Sequence, residues 1–260
     1  MLSLVYDALD RQKRPLRHYN FLVFPKAGVA FARIPGAPFR AMLPVLADLA
    51  DVGSCAAAAS ADCDKVTALW NGNMEPRTAR QLKRLYPDFP VFAVVQSPVE
   101  RMCSVYQDLF LGPDPLPAFF AEKRFSKQMT PAEFAARVCA LPDLRADNRI
   151  RTQMAILSYR GRFIPDLVLK LDDLTKEWPQ KAKDLQSNGQ PLAEKISARP
   201  QTQPRPDPEL LDIFSSRALQ APIQRRYRAD LISFFEPGPN GPTRSQLTTA
   251  PSGQLASTHG

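Results

Sequence analysis

A chain of 260 residues can bury one substantial hydrophobic core, so one large domain is expected rather than several. Its 44% hydrophobic and 23% charged residues are ordinary for a folded protein. Lys and Arg number 34 against 26 Asp and Glu, and the formal charge of +8 directs attention to anionic partners: a nucleotide, an anionic glycan, nucleic acid or an acidic surface. No apolar run approaches the ~18 residues a membrane span needs, and residues 1–20 lack an apolar signal core, so no transmembrane segment and a cytoplasmic location are expected. Only two histidines occur, His18 and His259, which argues against zinc chemistry and His-based triads. The four cysteines, Cys55, Cys63, Cys103 and Cys139, form no C-x-x-C pair and read as reduced thiols, so no metal is expected.

Residues 1–18 read as an N-terminal extension and 19–235 as the domain, while the Pro/Gly/Ser/Thr-rich residues 236–260 read as a disordered tail. Two strand-like runs, "NFLVF" and "VAFARI", are separated by "PKAG", a hairpin turn. "PFRAMLPVLADLADV" carries apolar residues at helical steps, with Pro44 expected to bend or divide it. "MEPRTARQLKRLYPD" reads as a surface helix, and the wholly apolar "PVFAVVQ" as a strand buried on both faces. The next helix, "SPVERMCSVYQDLFL", has Pro98 in its first turn, and "TPAEFAARVCAL" opens with the capping box Thr130 and Glu133. "NRIRTQMAILSY" reads as helical and "DLVLKLDDL" as a strand entering a turn. The proline-rich residues 197–209 read as an extended linker before one or two closing helices. Strands alternating with helices indicate an α/β sheet with helices on its faces.

In such a sheet, ligands bind where strands end and helix starts present N–H groups. Two turns fit: "ARIPGAPFR", with Pro35, Gly36 and Ala37, and "VVQSPVER", with Gln96. Neither G-x-x-x-x-G-K-[ST] nor G-x-G-x-x-G is present. Cations are dense between Arg145 and Lys170, where Arg149, Arg151, Arg160 and Arg162 also lie against Asp147 and Asp166 alone.

The order of residues in "PDFPVFAVVQSPVERMCSVY" resembles the 3′-phosphate segment of Golgi-type carbohydrate sulfotransferases and their bacterial relatives. There a strand ends in Arg-Asp-Pro, then Arg, then Ser and Tyr; Pro98, Arg101, Ser104 and Tyr106 match. Three further places are similar in the expected order. Asp147, Arg151 and Gln153 match Asp-x-His-x-Arg-x-Gln; Lys170, Asp172 and Leu174 fall in register with Gly-Arg-x-Glu-Asn-Leu; Tyr227, Asp230 and Phe234 match the closing Tyr-x-x-Asp-x-x-x-Phe. The resemblance implies a P-loop-like, three-layer α/β fold with a central, mostly parallel sheet flanked by helices. It also implies a donor, 3′-phosphoadenosine 5′-phosphosulfate, held by Pro35, Gly36, Ala37, Gln96, Arg101, Ser104 and Arg151, and a carbohydrate hydroxyl as acceptor.

The pattern is degenerate at its charged positions. Gln96 and Ser97 stand where the family has Arg and Asp, and Arg149 replaces its His. Two registers fit the 5′-phosphosulfate loop. In "FPKAGVAF", Lys26 matches the loop lysine and becomes the catalytic candidate, but Ala30 and Phe31 replace the hydroxyl residues. In "ARIPGAPFR", Gly36 replaces the lysine; the hairpin and the following helix favour this register. Glu75 and Glu100 are the acidic candidates for a base. Two functions from the same fold are therefore expected: a sulfotransferase, or a nucleotide- or glycan-binding relative without the chemistry. Nucleic acid is the least favoured partner, for want of an interleaved aromatic–basic surface.

Overall fold

The tight link "PKAG" can join only antiparallel neighbours, because parallel strands need a crossover of about a dozen residues. In the computed structural model, which describes residue 14, residues 16–52 and residues 62–236 (side chains of 62–64 excepted), β1 (Phe21–Phe24) and β2 (Val29–Ala32) pair antiparallel, Phe24 opposite Val29. Gly28 closes the turn with φ of 68°, its N–H donating to the Phe24 carbonyl at 2.8 Å. The other edge of β1 pairs antiparallel with β3 (Glu75–Arg77), while β2 runs parallel to β4 (Val91–Val95). Two short strands, β5 (Ser158–Tyr159) and β6 (Arg162–Phe163), form a separate hairpin. β7 (Leu167–Lys170) completes the main sheet beside β4, giving the order β3-β1-β2-β4-β7. The fold is α/β and the sheet is mixed: β1 runs opposite to the other four strands, so two of the four pairings are antiparallel and two parallel.

Successive strand residues point to opposite faces, and the core follows that period of two. Leu22, Phe24, Phe31, Phe92 and Leu169 pack with α1 (Ala37–Leu49), α2 (Asp62–Trp70) and, through Trp178, with α8 (Leu174–Asp184). Phe21, Val23, Ala30, Val91 and Val95 pack on the other side against Leu82 of α3 (Ala79–Leu85), Ile156 of α7 (Gln153–Leu157), and Phe163 and Phe234. Helices thus flank the sheet on both faces. A third core lies among α4 (Pro98–Tyr106), α5 (Ala118–Glu122), α6 (Pro131–Ala140), α9 (Pro208–Ser215) and α10 (Arg217–Arg226), where Tyr106 stacks on Phe110 at 5.2 Å. The closing α11 (Arg228–Asp230) continues as a wide turn through Phe235.

Three expected elements differ. Of residues 148–159, read as helical, only Gln153–Leu157 form a helix, and Ser158–Tyr159 pair as a strand. The segment read as one surface helix is split: Glu75–Arg77 is the sheet's edge strand, where Pro76 is tolerated, and Thr78 caps α3 in a box with Gln81. Pro44 neither divides nor ends α1. It removes the N–H that would reach the Arg40 carbonyl, and Gln201 supplies a replacement: its Nε2 donates to Arg40 O at 2.8 Å and its N–H to Ala41 O at 2.9 Å. The linker around Gln201 is consequently a strap, extended as expected but bound along α1. The Asp48 carboxylate holds its start by accepting from Ser197 N at 2.7 Å and Ala198 N at 2.9 Å.

The described end of the N-terminal extension is also docked. Arg14 and Arg17 donate to the Ala146 and Leu144 carbonyls, and both arginines are buried. Cys55, His259 and the expected tail from residue 237 lie outside the described residues. Among the described residues, no helix is long and apolar enough to cross a membrane.

Candidate ligand-binding site

At one edge of the sheet the chain enters β1 and leaves β2, β3, β4 and β7, because Phe21 pairs with both Ala32 and Arg77 and the last three strands of the order run parallel. The two turns singled out in the sequence therefore do sit on adjacent strands at one edge. The described residues form a narrow and a wide cavity there, and these differ in charge.

The narrow cavity, about 110 Å³, lies over the ends of β4 and β7 beneath the strap. Gln96, Glu100, Asp172, Thr175 and the strap residue Arg205 supply its polar lining. Gln96 is fixed at the backbone by Gln153, whose Oε1 accepts from Gln96 N at 3.0 Å and whose Nε2 donates to Gln96 O at 2.8 Å. Its side-chain Nε2 donates to Ser104 Oγ at 3.3 Å, so the eight-residue spacing does bring those two together. Ser97 caps α4 and donates its hydroxyl to Glu100 at 3.0 Å. Burial pushes the Glu100 carboxyl up, and nearby Asp172 adds to the rise, with the Ser97 hydroxyl and Arg205 opposing it. Two carboxylates thus face one guanidinium, the wrong balance for a phosphate.

Arg101 does not correct that balance. Its side chain is 3% exposed and turns away, its Nη1 donating to the Arg151 carbonyl at 2.6 Å and its Nη2 to the Asn148 carbonyl at 2.5 Å. It ties α4 to the loop that leads into α7. Tyr106 is equally structural, its hydroxyl donating to Met129 O at 2.7 Å. Pro35 and Ala37 are buried and Gly36 is half-buried; they start α1 but line neither cavity. Gly36 adopts φ 95°, ψ −145°, a conformation open to glycine.

Lys26 lies at the tip of the β1–β2 turn, exposed, at the opposite end of the sheet. The strand alone separates it from Gly36 by roughly 10 Å, so Lys26 is not in one pocket with the Gly36 and Gln96 turns. The hairpin expected at "PKAG" does form, with Lys26 in its turn. Glu75 lines neither cavity, accepting from the Tyr86 hydroxyl at 2.6 Å and from Arg77 at 2.5 Å. Arg149 pairs with Asp147 at 3.5 Å.

The wide cavity, about 350 Å³, lies where β1 begins and β3 ends. Arg151 lines it, together with Arg17, His18 and Arg80, hydroxyl residues including Thr78 and Ser158, and Tyr19 and Tyr159. Among the described residues, no carboxylate is in its lining. Burial pushes the Arg151 guanidinium below the usual arginine range; Asp143 opposes this, while Arg17, Arg14 and Arg226 add to it. Sequence reasoning found Arg151 and the cation-rich stretch around it, but not Arg17 or Arg80. Their signal is faint: a basic residue just before the first strand, and another beside the Thr78–Gln81 capping box. Among the described residues, no group of three or more His, Cys, Asp or Glu is placed to hold a metal ion.

Comparison with protein-family models, with curated proteins and with solved structures finds no match to this chain.

Proposed function

We propose that this chain is a binding protein built on a P-loop-like, sulfotransferase-type α/β scaffold, without the sulfuryl transfer that the resemblance would imply. The observation that carries this reading is the orientation of Arg101. The guanidinium at the matched position is spent on two main-chain carbonyls, and the cavity at the end of β4 is left with Glu100 and Asp172 against Arg205. A 3′-phosphate brought to Gln96 would approach two carboxylates. A charge-assisted fork is roughly twice as strong as a neutral amide contact, so Gln96 does not replace the family's arginine. On the 5′ side, the Gly36 turn offers backbone N–H groups but no lysine, and stabilising charge on a departing sulfuryl group needs such a donor. The partner in this reading is an anionic ligand, nucleotide- or glycan-borne, and no metal is required.

A second reading, an active sulfotransferase using 3′-phosphoadenosine 5′-phosphosulfate on a carbohydrate hydroxyl, draws on one contact. Gln96 and Ser104, two of the positions that the resemblance assigns to a 3′-phosphate, meet at 3.3 Å at the end of β4. Incubation with sulfur-labelled donor and a mixed glycan pool separates the two. No transfer above background is expected. Transfer that disappears in Ser104→Ala would establish the second reading.

A further inference from the structure

We infer that the wide cavity at the start of β1 is a binding site for a phosphate monoester, with Arg151 as the anion's main contact and Arg17 and Arg80 adding charge. The inference stands on that cavity alone and survives if the chain proves to transfer sulfuryl groups.

Size comes first. About 350 Å³ falls within the range of roughly 300–1,000 Å³ usual for small-molecule sites, and it accommodates a phosphate carried on a sugar-sized ring. Charge decides the rest. Three arginines and a histidine line the space, with no carboxylate among the described lining residues, so these side chains make the potential inside positive. A fourth cation, Arg160, lies over the Tyr159 ring at 5.4 Å, beside one wall.

One donor of Arg151 is not used by the protein. Its Nε is buried and has no hydrogen-bond partner, and a buried donor left so costs about 1–3 kcal/mol. The carboxylate that acts on it, Asp143, is already occupied: Oδ1 accepts from Arg226 at 2.6 Å and from Thr152 N at 3.0 Å, and Oδ2 accepts from the Thr152 hydroxyl. Arg14, Arg17 and Arg226 are like charges acting on the same guanidinium. A cluster of this kind, partly withdrawn from water, gains from a counter-ion, and a dianion offsets it better than a monoanion. That favours a phosphate monoester over a sulfate monoester. The hydroxyl of Thr78 accepts from Gln81 N at 3.2 Å, which leaves its own hydrogen to donate. Tyr19 and Tyr159 provide aromatic surface for the group that carries the ester.

Calorimetry on the full chain at low ionic strength, with glucose 6-phosphate and glucose 6-sulfate as probes, tests the inference. Glucose 6-phosphate should bind, and the sulfate ester about tenfold more weakly, the ratio that 1.4 kcal/mol of differential charge interaction gives. Arg151→Gln should weaken phosphate-ester binding by about tenfold to a hundredfold, as loss of a charge-assisted bond does. Arg80 is exposed, so Arg80→Ser tests the cavity without touching the core, and a several-fold loss is expected. No heat with the phosphate ester would overturn the assignment, as would affinity unchanged in both variants or equal affinity for the two esters.

Discussion

Replacing Arg101 by Met separates a structural arginine from a ligand-binding one. The wild-type guanidinium satisfies two carbonyls, those of Asn148 and Arg151, in a site that is 3% exposed. Hydrogen bonds from a charged donor contribute about 1.5–3 kcal/mol each, and removing one partner of a buried charged contact typically costs about 3–5 kcal/mol in total. Part of the loss is returned, because Met needs no desolvation of a charge and fills similar space. A net destabilisation of about 2–4 kcal/mol remains, and for a chain of this size it lowers Tm by roughly 4–16 °C. Thermal unfolding followed by circular dichroism reads this directly. A variant that melts with the wild type would refute the structural assignment. If that variant also lost affinity for adenosine 3′,5′-bisphosphate, Arg101 would belong to a ligand site.

Pro44 and Gln201 should be energetically coupled: Pro44→Ala restores an N–H for Arg40 O, so Gln201→Ala, costing about 1 kcal/mol in the wild type, should cost almost nothing in that background, measured as a double-mutant cycle in urea. Gly36→Ala should lose about 1–3 kcal/mol from its backbone conformation alone, since an added Cβ meets open space; an unchanged urea midpoint would contradict this. Asp143 sets part of the acid limb. Burial raises its carboxyl pKa, but Arg226 and Thr152 outweigh that and hold it below the ordinary value. Its stabilising contribution is therefore complete above pH ~4 and is lost as pH falls through the lower folded value, so Asp143→Asn should flatten the fall in urea midpoint below that pH. The Cys103 thiol is pushed up to about 11 by burial, with Asp207 and Glu100 adding to the effect, and it should resist alkylation at pH 8 until the chain unfolds.

What the sequence revealed, and what it hid, follows from the range of the interactions involved. The β1–β2 hairpin, the buried strand β4 and the Thr130–Glu133 box depend on neighbours within a few residues; the box forms with both its bonds, at 2.8 and 3.3 Å. β3 was hidden because Pro76 and the helical spacing of "RTARQLKRL" mask three residues that gain their strand character only by pairing with β1. The strap was legible as extended chain, but its docking depends on a gap that Pro44 opens more than 150 residues earlier. The contact of Gln96 with Ser104 was readable from one helix and one strand. The fate of Arg101 was not, because its partners are main-chain carbonyls 47 and 50 residues away. Motif matching registers the residue type and not the direction of the side chain.

The central claim is that the end of β4 is closed to a phosphorylated donor by Glu100 and Asp172 and by the diversion of Arg101. Calorimetric titration of the full chain with adenosine 3′,5′-bisphosphate tests it most directly. The account predicts that any binding by the wild type belongs to the Arg151 cavity, weakened by Arg151→Gln and unchanged by Ser104→Ala, and that binding sensitive to Ser104→Ala appears only in Glu100→Gln, where one carboxylate is neutralised. Micromolar binding by the wild type, weakened by Ser104→Ala, would contradict it.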